Sequence, residues 1–384
     1  MTLVIGGLLA GLLLSEAAYR IARNFVCIGP APLIFELRSW GWMHVPNKAV
    51  WVYACAGRRF EYQTYLTINS QGLRDHEYLY EKPAGTRRVL LLGDSMTEAI
   101  QVPLERTFAK LVEERVRVRG AAVDVINGGQ AGFATDSELL FYREEGRRYA
   151  PDLVVLMFNF QNDILENSPT LYRRAYEHAE ARFPPKPSFS LGADGTLQQR
   201  PVSSADIATM QTPDQTMWQR ISSKLYLLRM VERALSSSPP APPSFVPPLN
   251  YEIYTSWNAD WQEAWQLTMR LTQELRAVVQ ESGARFAVAL LPARDLVAPD
   301  TFERSLGFFQ VKLPAWDLER PHRAMTDFLR AEGIPFVDLL PALQAHAATG
   351  RQDFYGWDVH MNEGGHATIT PPLAAFIQDQ LDAR

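Results

Sequence analysis

Arg88-Val-Leu-Leu-Leu-Gly-Asp-Ser95 decides the fold: an apolar run that stops at Gly-Asp-Ser. A short apolar run bounded by a turn signal reads as a strand buried on both faces. Where such a strand opens a helix, Ser95 stands at the carboxyl edge of a sheet, the place where open α/β folds keep their chemistry. A serine hydroxyl is a weak nucleophile until a base is within reach. Far along the chain, Asp358-Val-His360 supplies a base and a carboxylate to orient it, followed by Met-Asn-Glu-Gly-Gly-His366 and an apolar C-terminal helix pattern.

Outward from that strand the chain alternates. Strand patterns at 88–93, 122–127, 153–159, 285–291 and 335–339 are interleaved with helix patterns at 104–118, 135–148, 258–282, 321–332 and 364–382. Alternation of this kind predicts a parallel sheet covered on both faces. The expected fold is therefore α/β: a three-layer α/β/α flavodoxin-like domain over 87–384 with a central, mostly parallel five-stranded sheet. Residues 29–86 form an irregular lead-in with short strands. The insertion 164–258 interrupts the alternation directly after a strand end, which suits a lid over the site. Within it, Ser236-Ser-Ser-Pro-Pro-Ala-Pro-Pro-Ser-Phe-Val-Pro-Pro248 reads as extended linker.

Two further strand ends carry hydrogen-bond donors. Val125-Ile-Asn-Gly-Gly-Gln-Ala-Gly132 offers the Gly132 amide, and Leu153-Val-Val-Leu-Met-Phe-Asn-Phe160 leads into Gln161-Asn162-Asp163, which offers the Asn162 side chain. With the Ser95 amide they make a three-donor oxyanion hole, usually the greatest single source of rate enhancement in acyl transfer. Asp94 and Asp163 read as structural, bonding to nearby backbone.

Ser95, Gly132, Asn162 and His360 follow in this order as four blocks, and at this point the chain resembles the GDSL/SGNH hydrolases. The resemblance covers residues 67–163 and 350–380. Two positions depart from the family pattern. Phe160 stands where the third block has Gly, and Trp357 stands three before His360, where the last block has Asp; Asp358 is the carboxylate instead. The resemblance implies a serine-dependent ester hydrolase or O-acyltransferase with the triad Ser95, His360 and Asp358. It also implies acylated carbohydrate of the cell surface as substrate. A lipid or small ester is the alternative, and a non-catalytic glycan-binding protein on a decayed hydrolase fold is the rival of another class.

Composition narrows the partners. In 384 residues, 47% are hydrophobic and 21% charged, which is globular, and a net charge of −5 gives no electrostatic case for nucleic acid. The two cysteines, Cys27 and Cys55, lack metal-ligand spacing, so neither a metal nor a cofactor is expected. They read equally as a disulfide or as two small hydrophobes. Leu3 to Leu14 is apolar or Gly throughout, and the pattern continues to Val26, so residues 1–28 read as an uncleaved hydrophobic helix that anchors the chain in a membrane. The flanking Arg20 and Arg23 argue for a cytoplasmic flank, whereas the resemblance implies an extracytoplasmic domain.

Substrate contacts are sought in two places. Trp257, Trp261 and Trp265 share one helix face. They suit a sugar platform, an acyl-pocket wall or a membrane contact, and equally a buried packing stripe. Arg294 follows a strand end at the carboxyl edge of the sheet.

Overall fold

Side chains alternate between two faces along a strand, and here both faces are apolar. In the computed structural model, Leu90, Leu92, Ile126, Val154, Leu156, Phe158, Val288 and Leu290 enter one core. Val89, Leu91, Val125, Val155, Met157, Ala287, Ala289 and Leu291 enter a second core on the other side of the sheet. The structure describes residues 35–56, 59–118, 122–176, 185–203 and 248–383, together with Gly6, Gly7, Gly11, Leu14, Ser15, Ala17 and Ala18.

The lead-in is more regular than its sequence pattern suggests. It holds two antiparallel hairpins: β1 (Phe35–Arg38) with β2 (Gly41–His44), and β3 (Ala49–Ala56) with β4 (Arg59–Thr67). In the second hairpin Ala54 faces Tyr62 while Cys55 faces Phe60, so Glu61 is an extra, bulged residue. Trp42, Met43, Leu73 and Tyr78 of the lead-in are buried in the first core.

The alternating part runs β5 (Arg87–Gly93), α1 (Ser95–Glu98), α2 (Phe108–Val118), β6 (Val123–Gly129), α3 (Thr135–Glu144) and β7 (Leu153–Asn159). The insertion contributes α4 (Asp163–Asn167), α5 (Pro169–Tyr176) and the hairpin β8 (Ser188–Leu191) with β9 (Leu197–Arg200). Then come α6 (Ala259–Glu281), β10 (Arg285–Leu291), α7 (Arg294–Val297), α8 (Pro299–Phe309), α9 (Arg320–Ala331), β11 (Phe336–Asp338), α10 (Leu340–Ala347) and α11 (Glu363–Asp382). The sequence pattern misses α7, α8 and α10, which are short and owe their helicity to packing more than to propensity. The pattern at 104–118 divides, because Thr107 is extended between a 3-10 turn at Leu104–Arg106 and α2.

All pairings in the central sheet are parallel, in the order β11-β10-β7-β5-β6. Numbered within the sheet this is 2-1-3-4-5, the flavodoxin order, whose switch point lies between β5 and β7. Ser95 follows β5 and Asn162 follows β7, so both flank the crevice that opens there. Helices α3 and α6 cover one face, and α2, α10 and α11 the other.

Several expectations fall outside what is described. The anchor helix over 3–26 does so except at the seven scattered residues, and among the described residues no helix is long and apolar enough to cross a membrane. The insertion's residues 177–184 and 204–247 are likewise outside, including most of the Pro-rich run. Its described parts pack into the body, with Leu171, Phe189, Tyr251, Ile253 and Tyr254 buried in the first core. Cys55 is disulfide-bonded, and Cys27 lies outside the described residues.

Candidate active site

Ser95 is the first residue of α1, and Asp94 caps the helix, accepting the Met96 amide on Oδ1 at 2.9 Å. Asp94 Oδ2 accepts from Asn159 Nδ2 at 2.7 Å, which ties the ends of β5 and β7 together. Burial pushes the Asp94 carboxyl up, and those hydrogen bonds oppose the rise. Helix α1 lies directly on the end of β6. A Cβ on Gly129 would come within 2.4 Å of the Glu98 amide nitrogen, so only glycine permits that approach. At the other end of α1, the buried Arg74 guanidinium donates to the carbonyls of Glu98 (2.7 Å), Ala99 and Val102. A cation there meets the negative end of the helix. Ser95 is thus fixed from both ends of a four-residue helix.

His360 reaches the serine from the loop before α11. Its Nε2 lies 2.7 Å from Ser95 Oγ, and its Nδ1 donates to Asp358 Oδ1. The same Oδ1 accepts the His360 backbone amide at 2.9 Å. A carboxylate on Nδ1 assigns the proton to that nitrogen and leaves Nε2 free to accept the serine proton. Trp357, at the family's usual acid position, is 58% exposed, while Asp358 is 1% exposed. Burial would raise the Asp358 carboxyl, but the charge and N–H groups of His360, helped by the Tyr62 hydroxyl, outweigh it and hold it below the usual carboxylate range. Burial likewise disfavours the imidazolium, yet Asp358, with Asp94 and Glu98 beyond it, lifts His360 above its ordinary 6.5.

The oxyanion side is built from two loops. Gly132 sits at φ +77°, a left-handed conformation that favours glycine. The preceding residue is clamped: the Ala131 amide donates to Glu98 Oε2 at 2.8 Å, and its carbonyl accepts from Trp42 Nε1 at 2.9 Å. Carbonyl and N–H point in opposite directions across a trans peptide, so the bond to Trp42 turns the Gly132 N–H away from the indole. Among the described residues that N–H has no acceptor. Glu98 is itself paired with the buried His44. On the second loop, Asn162 Nδ2 donates to Glu166 Oε2 at 3.2 Å, and the Asn162 side chain also hydrogen-bonds the Asp94 carboxylate, beside Ser95. Burial pushes Glu166 up to about 7. Phe160 is turned into the core against Phe158 (5.2 Å between ring centroids) and His322 (5.4 Å). Asp163 Oδ2 accepts the Asn159 amide at 2.8 Å and holds this loop.

The expected substrate contacts fare differently. Trp261 is 1% exposed and donates to Glu252 Oε2 at 3.2 Å, so it packs in the core and offers no face to a ligand. Trp257 donates to the Ile253 carbonyl at 2.7 Å and packs on Trp265 at 5.3 Å. This corrects the expectation for Trp261, which lies on the buried side of α6, while Trp257, just before the helix, and Trp265 are half-buried. Arg294 opens α7 at the carboxyl edge, beside Asp295. His366 is a cap, its Nδ1 accepting the Phe108 amide of α2 at 3.2 Å, and burial pushes it down to about 3. Sequence patterns do not reveal Trp42, His44, Glu61 or Arg74, because no local motif marks a residue whose partners lie far along the chain. Among the described residues no group of three or more His, Cys, Asp or Glu could hold a metal ion.

Residues 253–384 match the family described as SGNH hydrolase-like domain, acetyltransferase AlgX. An arylesterase of Vibrio mimicus is 31% identical over 84 residues, which cover 22% of this chain and 42% of that protein. The similarity to the SGNH hydrolases thus lies in the C-terminal third of the chain, residues 253–384. Among solved structures, the lipase/acylhydrolase of Enterococcus faecalis aligns at TM-score 0.37 and 15% identity, covering 77% of this chain and 95% of that one. The psychrotrophic esterase EstA of Pseudoalteromonas sp. aligns at TM-score 0.36 and 11% identity, covering 77% and 100%.

Proposed function

We propose that this protein is a serine-dependent esterase or O-acetyltransferase working through an acyl-enzyme. The observation that carries the reading is the unbroken relay from Ser95 Oγ through His360 to Asp358. In this mechanism His360 Nε2 takes the Ser95 proton as Oγ bonds to the ester carbonyl carbon. The carbonyl oxygen gains negative charge beside the amides of Ser95 and Gly132, and Asn162 Nδ2 serves as third donor on turning from its present partners. The imidazolium then gives its proton to the departing alkoxide as the ester C–O bond breaks. Water or an acceptor hydroxyl next loses its proton to His360 and attacks the acyl carbon; the acyl C–Oγ bond breaks and His360 Nε2 returns the proton to Ser95 Oγ.

The acyl group we assign is acetyl, on carbohydrate, supported by the acetyltransferase description of the matching family. An extracytoplasmic location is supported by the disulfide at Cys55, since such bonds persist in oxidising compartments. Attachment to a membrane is supported by the apolar run from Leu3 to Leu14.

The test is a fluorophosphonate label followed by mass mapping, and product analysis with acetylated oligosaccharide, with and without an acceptor sugar. Labelling at Ser95 with free acetate as product supports an esterase, and acetylated acceptor supports a transferase. A folded protein that neither labels at Ser95 nor turns over any ester refutes the reading.

A further inference from the structure

We infer that Glu61, the bulged residue of β4, is a positioning residue for the catalytic acid; the inference rests on the esterase reading above. Its two carboxylate oxygens accept successive amides of the acid loop, Trp357 N on Oε1 at 2.6 Å and Asp358 N on Oε2 at 3.0 Å. The base of that loop is closed by the Phe354–Met361 bridge and by the Tyr355 amide on the His360 carbonyl at 3.1 Å. Glu61 grips the tip, where Asp358 sits. Charge-assisted bonds from two adjacent amides to one carboxylate are strong and geometrically specific.

The bulge is what makes this grip possible. In a regular strand, neighbouring residues point to opposite faces. One extra residue between the Ala54–Tyr62 and Cys55–Phe60 pairs breaks that alternation. Glu61 and Tyr62 then both serve the same loop: Glu61 holds its backbone, while the Tyr62 hydroxyl stabilises the Asp358 carboxylate and its ring packs on Tyr355 at 5.3 Å. The hydrogen bonds of Glu61 go to the loop backbone and not to the side chain of Ser95 or His360, so its influence on the reaction passes through Asp358. The charged and titratable groups that face this dyad are Glu61, Tyr62, Tyr355, Asp94, Glu98 and His366.

The experiment uses the full chain with p-nitrophenyl acetate, comparing wild type, Ser95→Ala, Glu61→Ala and Glu61→Gln. A misplacement of about 1 Å in a catalytic group can cost on the order of 100-fold. Glu61→Ala is therefore expected to lower kcat by about 10- to 100-fold with KM nearly unchanged. With Asp358 less well placed, His360 loses the lift it receives, and the acid limb of the kcat/KM profile moves to lower pH. Glu61→Gln keeps the shape but sets an NH2 against one of the two amides, so it should fall between Ala and wild type. A folded Glu61→Ala with wild-type kcat and pH profile overturns the role. Should Glu61→Ala fail to fold, a Glu61→Gln protein with wild-type kcat and pH profile overturns it. Absence of any turnover that Ser95→Ala abolishes overturns the esterase reading itself, and this assignment with it.

Discussion

Replacing Asp358 by Asn distinguishes two jobs that a triad carboxylate performs. In serine proteases the equivalent change costs about ten-thousandfold, because the amide leaves the imidazole in the wrong tautomer. Here Asp358 Oδ1 accepts two N–H groups at once, the His360 side-chain Nδ1 and the His360 backbone amide. An Asn carbonyl oxygen in that position can accept both, whereas an NH2 there would face two donors. The variant is thus steered to keep oxygen toward His360, with its NH2 toward the Tyr62 hydroxyl, which can accept. The tautomer survives and only the charge is lost. Two unit charges about 4 Å apart interact by about 4 kcal/mol at an effective dielectric near 20. The amide dipole keeps part of that stabilisation, and each 1.36 kcal/mol is about tenfold in rate. Asp358→Asn should therefore lower kcat by about 10²- to 10³-fold, less than the protease value. Since Asp358 lifts the His360 pKa, the acid limb of kcat/KM should also move to lower pH. Steady-state turnover of p-nitrophenyl acetate across the neutral range, from mildly acidic to mildly basic buffer, measures both. A loss of ten-thousandfold or more would refute the retained tautomer, and wild-type turnover would refute the role of Asp358.

Ser95→Ala and His360→Ala should each reduce ester turnover by several orders of magnitude, with the double variant little worse than either single, because the pair acts as one unit; additive losses in kcat would contradict that coupling. Trp42→Phe keeps an aromatic ring but leaves the Ala131 carbonyl without its donor, so kcat should fall by about 10- to 100-fold, short of the loss of a whole oxyanion donor. The same change should cost about 1–3 kcal/mol in urea unfolding for the unpaired carbonyl. Stability should also depend on Glu166. Its folded pKa of about 7 lies above the ordinary glutamate value of 4.5, so the folded state binds the extra proton and stability declines as pH rises through that window. Glu166→Gln should flatten that decline when urea unfolding is compared at about pH 4.5 and about pH 7.5, either side of the window.

The sheet was legible because each of its strands is an apolar run with few alternatives, as in Leu153-Val-Val-Leu-Met-Phe158. Ser95 and His360 were legible because each lies in a short local pattern at the end of a recognisable element. Trp261 was not, since a helical stripe of tryptophans has the same period whether it faces a ligand or the core. The bracing residues were illegible for another reason. Trp42 bonds 89 residues away and Glu61 bonds 297 residues away, in both cases to backbone groups that carry no side-chain signature. A β-bulge is similarly hidden, because it depends on which residues of two strands pair and not on either strand alone.

Those bracing contacts share one origin, and that answers a mechanical problem of this fold. The reacting groups leave the sheet on separate loops, after β5, β6 and β7 and before α11, and parallel pairing within the sheet fixes strands more firmly than the loops beyond them. The lead-in reaches three of these places. Arg74 holds the carbonyl end of the nucleophile helix, Trp42 and His44 set the Ala131–Gly132 peptide directly and through Glu98, and Glu61 grips the acid loop. Each of these side chains bonds to backbone or to a buried carboxylate, so what it fixes is the direction of a peptide or a helix. A single segment that sets three directions at once correlates them. In the esterase reading, nucleophile, oxyanion donor and acid are thereby held in one frame, the preorganisation that electrostatic catalysis of acyl transfer requires.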